Sequence, residues 1–163
     1  MGFFSGVTLF KRKDETPLGD CSIIMLAENT SVKHGDEIVF SIGICNQSED
    51  IVEAGAMECY ITFDNDALEF AEYDDKRPGT KIGYPKLDAP EEISHRIKLS
   101  RIGTMFEIPA NSTFIMGIVH INTKNAVPGA MYEIYLSDCF SSTYDGRSLN
   151  VPDESNKIVF TIE

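Results

Sequence analysis

Apolar and polar residues alternate along most of this chain, and no stretch sustains the roughly 3.6-residue repeat of a helix. The run from Met57 to Phe70 shows the pattern most plainly. Successive side chains of a strand point to opposite faces, so Met57, Cys59, Ile61 and Phe63 fall on one side and Glu58, Tyr60, Thr62 and Asp64 on the other. The prediction is a half-buried strand with a polar and aromatic outer surface. Asp64-Asn65-Asp66 then supplies residues that bond to their own backbone in turns, and Leu68 and Phe70 resume the apolar beat. A tight corner therefore leads from this strand into a partner strand at residues 68–73.

Other segments follow the same rule. Residues 21–28 form a first strand, and the turn His34-Gly35-Asp36 opens a second at residues 37–46, where Ile38, Phe40, Ile42 and Ile44 alternate with Val39, Ser41, Gly43 and Cys45. Residues 74–92 hold Lys76-Arg77-Pro78-Gly79 and further prolines, so they read as a long connection too rich in Pro and Gly for a helix. Alternation returns at residues 93–101, with His95, Ile97 and Leu99 against Ser94, Arg96, Lys98 and Ser100. Ile108-Pro109-Ala110-Asn111 turns into a strand at 114–123, Val127-Pro128-Gly129 into one at 131–138, and residues 157–163 close the chain with Ile158, Phe160 and Ile162 on one side. The expectation is an all-β sandwich or jelly roll in which two sheets share one core.

Composition narrows this picture. A chain of 163 residues, 42% hydrophobic, suffices for one well-buried core, expected over residues 21–163. Residues 1–20 read as an N-terminal tail or an extra edge strand near residues 6–10; Lys11-Arg12-Lys13 follows the apolar stretch, the wrong polarity for a secretory signal, and Gly6 stands where myristoylation wants Ser or Thr. A net charge of -12 argues against nucleic acid and anionic membranes as partners, and no apolar run approaches the roughly 18 residues of a membrane span. Cys21, Cys45, Cys59 and Cys139 lack zinc-ribbon or redox-motif spacing, and their pairing stays open. Cys59 faces the core, which favours buried reduced thiols behaving as small hydrophobes.

Catalytic constellations find little support. His34, His95 and His120 stand alone, without the helical pairing of a zinc protease, and neither a Gly-x-Ser-x-Gly elbow nor a Gly-rich loop opening a helix occurs. Carboxylates such as Asp64, Asp66, Asp74, Asp75, Glu91 and Glu92 would need a defined separation across a cleft to act as a glycosidase pair. Asp64-Asn65-Asp66 resembles the opening of a calcium loop, but Glu69 occupies the position where an EF-hand needs Gly. No metal site and no enzyme are expected.

Four stretches in succession, VKHGDEIVFSIGI, MECYITFDNDALEF, FIMGIVHINTKNAVPGAMYEIYLSD and KIVFTIE, resemble a cohesin module, the domain by which cellulosome scaffoldins hold dockerin-bearing enzymes. The shared features are a Gly-Asp turn before the second strand, a Tyr-Asp-Pro-x-x-Leu-like corner after the third, a Pro-Gly turn before a Tyr-containing strand ending in Ser137-Asp138, and an apolar last strand. Phe63 in place of Tyr, Asn65 in place of Pro, the four cysteines and the long 74–92 connection mark a divergent member.

The resemblance implies a nine-stranded β-sandwich with jelly-roll topology, its first and last strands paired, and one flat sheet face, built from the third, fifth, sixth and eighth strands, reserved for a dockerin. Mapped by alternation, the outward residues of that face are Glu58, Tyr60 and Thr62; Arg96, Lys98 and Ser100; Ile118, His120 and Asn122; and Glu133, Tyr135 and Ser137. The third of these groups requires a bulge near Gly117 if Met116, Val119 and Ile121 are to reach the core. Loops around Tyr84 and residues 141–147 would flank the face. The implied function is a non-catalytic module that assembles enzymes or scaffoldins into an extracellular or cell-surface cellulosome for polysaccharide degradation. It would be monomeric when unbound and without a cofactor, with calcium carried by the dockerin. Tyr60, Tyr135 and Arg96 are the expected anchors, and Glu58, Glu133, Arg96 and Lys98 would orient the partner. A carbohydrate-binding module is the alternative; with no Trp in the chain, Tyr60, Tyr84 and Tyr135 would have to stack the sugars. A pilin-like structural domain, accepting a partner strand at an exposed edge, is a third.

Overall fold

The computed structural model describes residues 21–76, 81–83, 96–149 and 156–163, and among them it contains strands, turns and no helix. Ten strands follow in order: β1 Cys21–Leu26, β2 Ser31–Val32, β3 Glu37–Asn46, β4 Val52–Thr62, β5 Glu69–Asp75, β6 Lys81–Gly83, β7 Arg96–Ile108, β8 Ser112–Asn122, β9 Met131–Thr143 and β10 Lys157–Ile162. They make a four-stranded sheet, β1-β3-β8-β5, and a six-stranded sheet, β2-β10-β9-β4-β7-β6. Every pairing is antiparallel except β2 with β10. The expected tail at residues 1–20, Tyr84 and His95 lie outside the described residues.

The alternation accounts for the core. Ile38, Phe40, Ile42 and Ile44 of β3 and Met57, Cys59 and Ile61 of β4 are all buried, as are Phe63, Leu68, Phe160 and Ile162. Phe40 of one sheet and Phe160 of the other meet across the sandwich with ring centroids 6.4 Å apart. Where β3 Ile42 pairs with Gly117 and Gly43 with Ile115, Met116 is the extra residue of a bulge, so Met116, Val119 and Ile121 are all buried. The bulge lies where the β8 pattern required one.

Two readings of the connectivity change. Between β1 and β2 the chain leaves one sheet for the other, helped by Asn29, whose Oδ1 accepts from the Ser31 amide at 3.0 Å. It is β2, and not the longer β1, that pairs with the last strand; counted as one strand that changes sheets, β1 and β2 bring the total to nine. The corner after β4 is built as its residues predict, with the Asp66 amide donating to Asp64 Oδ1 at 2.9 Å and the Leu68 amide to the Asp64 carbonyl at 2.9 Å. It does not, however, fold β5 back onto β4. Phe63, Ala67 and Leu68 are buried there, and the chain crosses the sandwich so that β5 pairs with β8 in the other sheet.

Candidate protein-binding face

The six-stranded sheet presents a broad outer surface in which β10, β9, β4 and β7 are neighbours. Register sets its rows. Thr62 stands between Tyr135 and Arg96, Tyr60 between Ser137 and Lys98, and Glu58 between Phe140 and Ser100. Lys157 and Val159 of β10 extend these rows beside Tyr135 and Glu133. On β4 and β7 the inward partners Cys59, Ile61, Ile97 and Leu99 are fully or nearly fully buried, which fixes the outward phase.

Charge and aromatic surface interlock at the centre. The Arg96 guanidinium carbon lies 4.4 Å from the centroid of the Tyr60 ring, a cation–π geometry. From that position Nη1 donates to Asp138 Oδ2 at 2.5 Å and to Ser137 Oγ at 3.2 Å, and only 15% of the Arg96 side chain is exposed. Asp138 adopts φ 49, a left-handed conformation that Asp tolerates better than most residues, at a bulge where Glu58 pairs with Phe140 but Tyr60 pairs with Ser137. The bulge thus aims the carboxylate at Arg96. Lys98 Nζ binds Glu58 Oε2 at 2.9 Å and lies 5.9 Å from the Tyr60 centroid; its hydrogen bond to Glu58, and then the Glu58 charge, hold its pKa above the ordinary lysine value. Lys157 and Glu133 pair at 3.3 Å. The Thr62 hydroxyl and Arg96 Nε are buried without a hydrogen-bond partner among the described residues.

Seven of the ten expected contact residues, Glu58, Tyr60, Thr62, Arg96, Lys98, Glu133 and Tyr135, share this face, as do Ser100 and Ser137. Ile118, His120 and Asn122 do not. They lie on β8, at the outer surface of the four-stranded sheet on the far side of the sandwich. There His120 Nδ1 meets the Glu37 carboxylate at 3.0 Å, and Asn122 Oδ1 accepts from the Lys124 amide at 2.6 Å to end the strand. The cause is β6: three residues carry no periodicity, so by pattern they read as connection, and counting strands without them moves the strand at 114–123 into the binding sheet. Of the flanking loop expected at 141–147, Ser141 to Thr143 belong to β9 and Ser141 is buried.

The face also includes residues that alternation passed over. Phe140, 46% exposed, would point inward by simple counting from Tyr135, and the Asp138 bulge turns it out. Ile102 is 70% exposed because β7 runs on past Arg101, where the predicted strand stopped. The signals were Asp138, one of the few side chains at ease with positive φ, and the unbroken alternation of Ser100 and Ile102. Among the described residues no cluster of three or more His, Cys, Asp or Glu is arranged to hold a metal ion.

No protein-family model and no curated protein matches the chain. Solved structures do. The sixth cohesin of scaffoldin B from Acetivibrio cellulolyticus, in complex with a Cel5 dockerin mutant, matches with a TM-score of 0.63 at 11% identity, covering 88% of this chain and 99% of that one. A cohesin module from a Clostridium perfringens family 33 glycoside hydrolase gives 0.65 at 13% identity, over 88% and 96%. A non-cellulosomal cohesin from the archaeon Archaeoglobus fulgidus gives 0.58 at 14% identity, over 87% and 91%. The chain has the cohesin β-sandwich fold.

Proposed function

We propose that this chain is a non-catalytic protein-binding module that docks a dockerin on the outer face of its six-stranded sheet. The observation that carries the reading is the Tyr60–Arg96–Asp138 cluster at the centre of that face, on a fold whose solved relatives include cohesins in complex with dockerins. A ring and a guanidinium already held in place lose little side-chain entropy on binding, and aromatic and Arg residues are the usual anchors of protein interfaces. Around them Glu58–Lys98 and Glu133–Lys157 form ion pairs that set orientation and partner choice more than affinity. Phe140 and Ile102 at one end and Tyr135 and Val159 at the other offer apolar surface for a partner to cover. Calcium, on this reading, belongs to the dockerin's own loops, and the module works outside the cell as a monomer until bound. Assembly of a cellulosome is the narrower form of the proposal, since the fold also serves a non-cellulosomal cohesin.

The carbohydrate-binding alternative loses its central platform, because the Arg96 guanidinium and the Lys98 ammonium occupy the space over the Tyr60 ring. Calorimetric titration separates the two readings: dockerins of several classes, with and without a calcium chelator, beside soluble cello- and xylo-oligosaccharides. Saturable binding of one dockerin class, abolished by the chelator, is expected. Heat from the sugars and none from any dockerin would sink the proposal.

A further inference from the structure

Beneath the Asp138 bulge, β4 and β9 bring two cysteines to the same height. Glu58 pairs with Phe140 and Tyr60 with Ser137, so Cys59 between them faces Asp138 and Cys139. The left-handed backbone of Asp138 turns Cys139 toward the interior, where it is half-buried and packs against the core, while Cys59 is fully buried within it. Neighbouring strands lie about 4.7–4.9 Å apart, and a disulfide spans roughly 4.4–6.8 Å between α-carbons, so a link across the bulge, where two residues of β9 oppose Cys59, is within reach. None of the four cysteines is in a disulfide here. The thiols sense one another: after burial, Cys139 is the next cause that pushes the Cys59 pKa well above the ordinary thiol value, ahead of Glu58.

The other two cysteines are placed differently. Cys21 and Cys45 lie in the four-stranded sheet, where Cys45 is in register with Ser22 and Cys21 with Asn46. Cys21 points into the core, its Sγ 3.7 Å from Asn46 Oδ1, whereas the side chain next to Asn46 on the same strand, Cys45, points to the opposite face.

We infer that Cys59 and Cys139 form a disulfide site, a covalent cross-strand link that closes beneath the binding face on exposure to a small-molecule disulfide such as oxidised glutathione. Cys139, the more exposed thiol, reacts first: its thiolate attacks one sulfur of the oxidant, making a mixed disulfide and expelling one glutathione thiolate. Cys59 then gives up its proton and attacks the Cys139 sulfur, and the second glutathione leaves. Two protein thiols lose two electrons and two protons, and one oxidant disulfide becomes two thiols. The thiolate is the nucleophile, so burial of Cys59 makes the closing step the slow one. The link would tie β4 to the residue next to Asp138, and so to the grip on Arg96.

The test uses the full folded chain and needs no partner. After incubation with oxidised glutathione, remaining thiols are alkylated under denaturing conditions and the peptides mapped by mass spectrometry. The expected result is a Cys59–Cys139 cross-linked peptide, transiently preceded by a glutathione adduct on Cys139, with Cys21 and Cys45 alkylated. Cys59→Ser should arrest the reaction at that adduct, and Cys139→Ser should leave Cys59 unreacted. A wild-type adduct on Cys139 that persists while Cys59 stays alkylatable, or a link through Cys21 or Cys45, would overturn the assignment. Because the map is read on wild-type protein, a variant that folds poorly does not blunt the test.

Discussion

The two outer surfaces of this sandwich are made from strands with the same alternation, yet they differ in kind. On the six-stranded sheet, side chains from neighbouring strands hold one another: Arg96 lies between the Tyr60 ring and Asp138, Glu58 binds Lys98, and Glu133 binds Lys157. On the four-stranded sheet, Leu26 and Val39 are 48% and 41% exposed, Ile118 is half-buried beside them, and Glu37 of one strand meets His120 of the next. Its concave end, about 600 Å³, has Leu26, Val39 and Ile118 in its lining and Glu28, Asp36 and Glu37 around it. Alternation tells which side chains point outward. Strand order decides which of them become neighbours, and neighbours make a site.

The most drastic way to break the comparison is to remove the wall both surfaces share. Phe160 is fully buried and meets Phe40 across the sandwich, so Phe160→Ala should cost about 3–5 kcal/mol of stability. Urea denaturation would show it, and a loss below about 1 kcal/mol would mean the two sheets do not depend on a common core.

Smaller in energy but sharper is a pair of substitutions, one on each surface. Tyr60→Ala or Arg96→Ala should weaken dockerin binding by about 2 kcal/mol, roughly 30-fold. Ile118→Ser and His120→Ala, on the far side, should leave the affinity unchanged. Equal losses from both surfaces in calorimetric titration would refute the choice of face. Gly43→Ala belongs next. A Cβ there would stand 2.6 Å from the Phe114 carbonyl oxygen, a backbone atom that cannot swing aside, so a loss of about 1–3 kcal/mol is expected with unaltered dockerin affinity in the folded fraction. Gly117→Ala should cost a comparable amount, since its Cβ would run into the Tyr73 ring, which packs against the core.

What was legible in the sequence follows the range of the interactions involved. The Asp64 corner was readable because its hydrogen bonds run between residues a few positions apart. The β3 and β4 cores were readable because burial of one side imposes a two-residue period, and the β8 bulge because that period slips by one between Met116 and Val119. Sheet membership was not readable in this way. Nothing local in Ile118, His120 and Asn122 distinguishes a strand beside β4 from one beside β3, and β6, with only Lys81 to Gly83, is too short to show a period. The outward turn of Phe140 rests on a single backbone torsion at Asp138, which the residue type permits but does not require.

The smallest effect expected is that of the Glu58–Lys98 pair, and it bears on what such pairs contribute to the face. The side chains are 28% and 42% exposed, so solvent screens their attraction and the coupling should fall within about 0–1 kcal/mol. Its pH dependence has a definite sign. The Lys98 pKa is raised in the folded chain above its ordinary value of 10.5, chiefly by the hydrogen bond to Glu58, so the folded state holds this proton more tightly than the unfolded one. The contribution is therefore fully present below the ordinary lysine value and disappears as pH rises through the folded one. A double-mutant cycle with Glu58→Gln and Lys98→Met, run by denaturant unfolding, should give a small favourable coupling at neutral pH that vanishes in strong alkali. The same cycle on dockerin association should instead move the salt dependence of the on-rate, because exposed charges steer partners more than they hold them. A neutral-pH coupling well above 1 kcal/mol would mean that the pair is shielded from solvent, and that the face is stiffened by its charges as well as by the stacked Arg96.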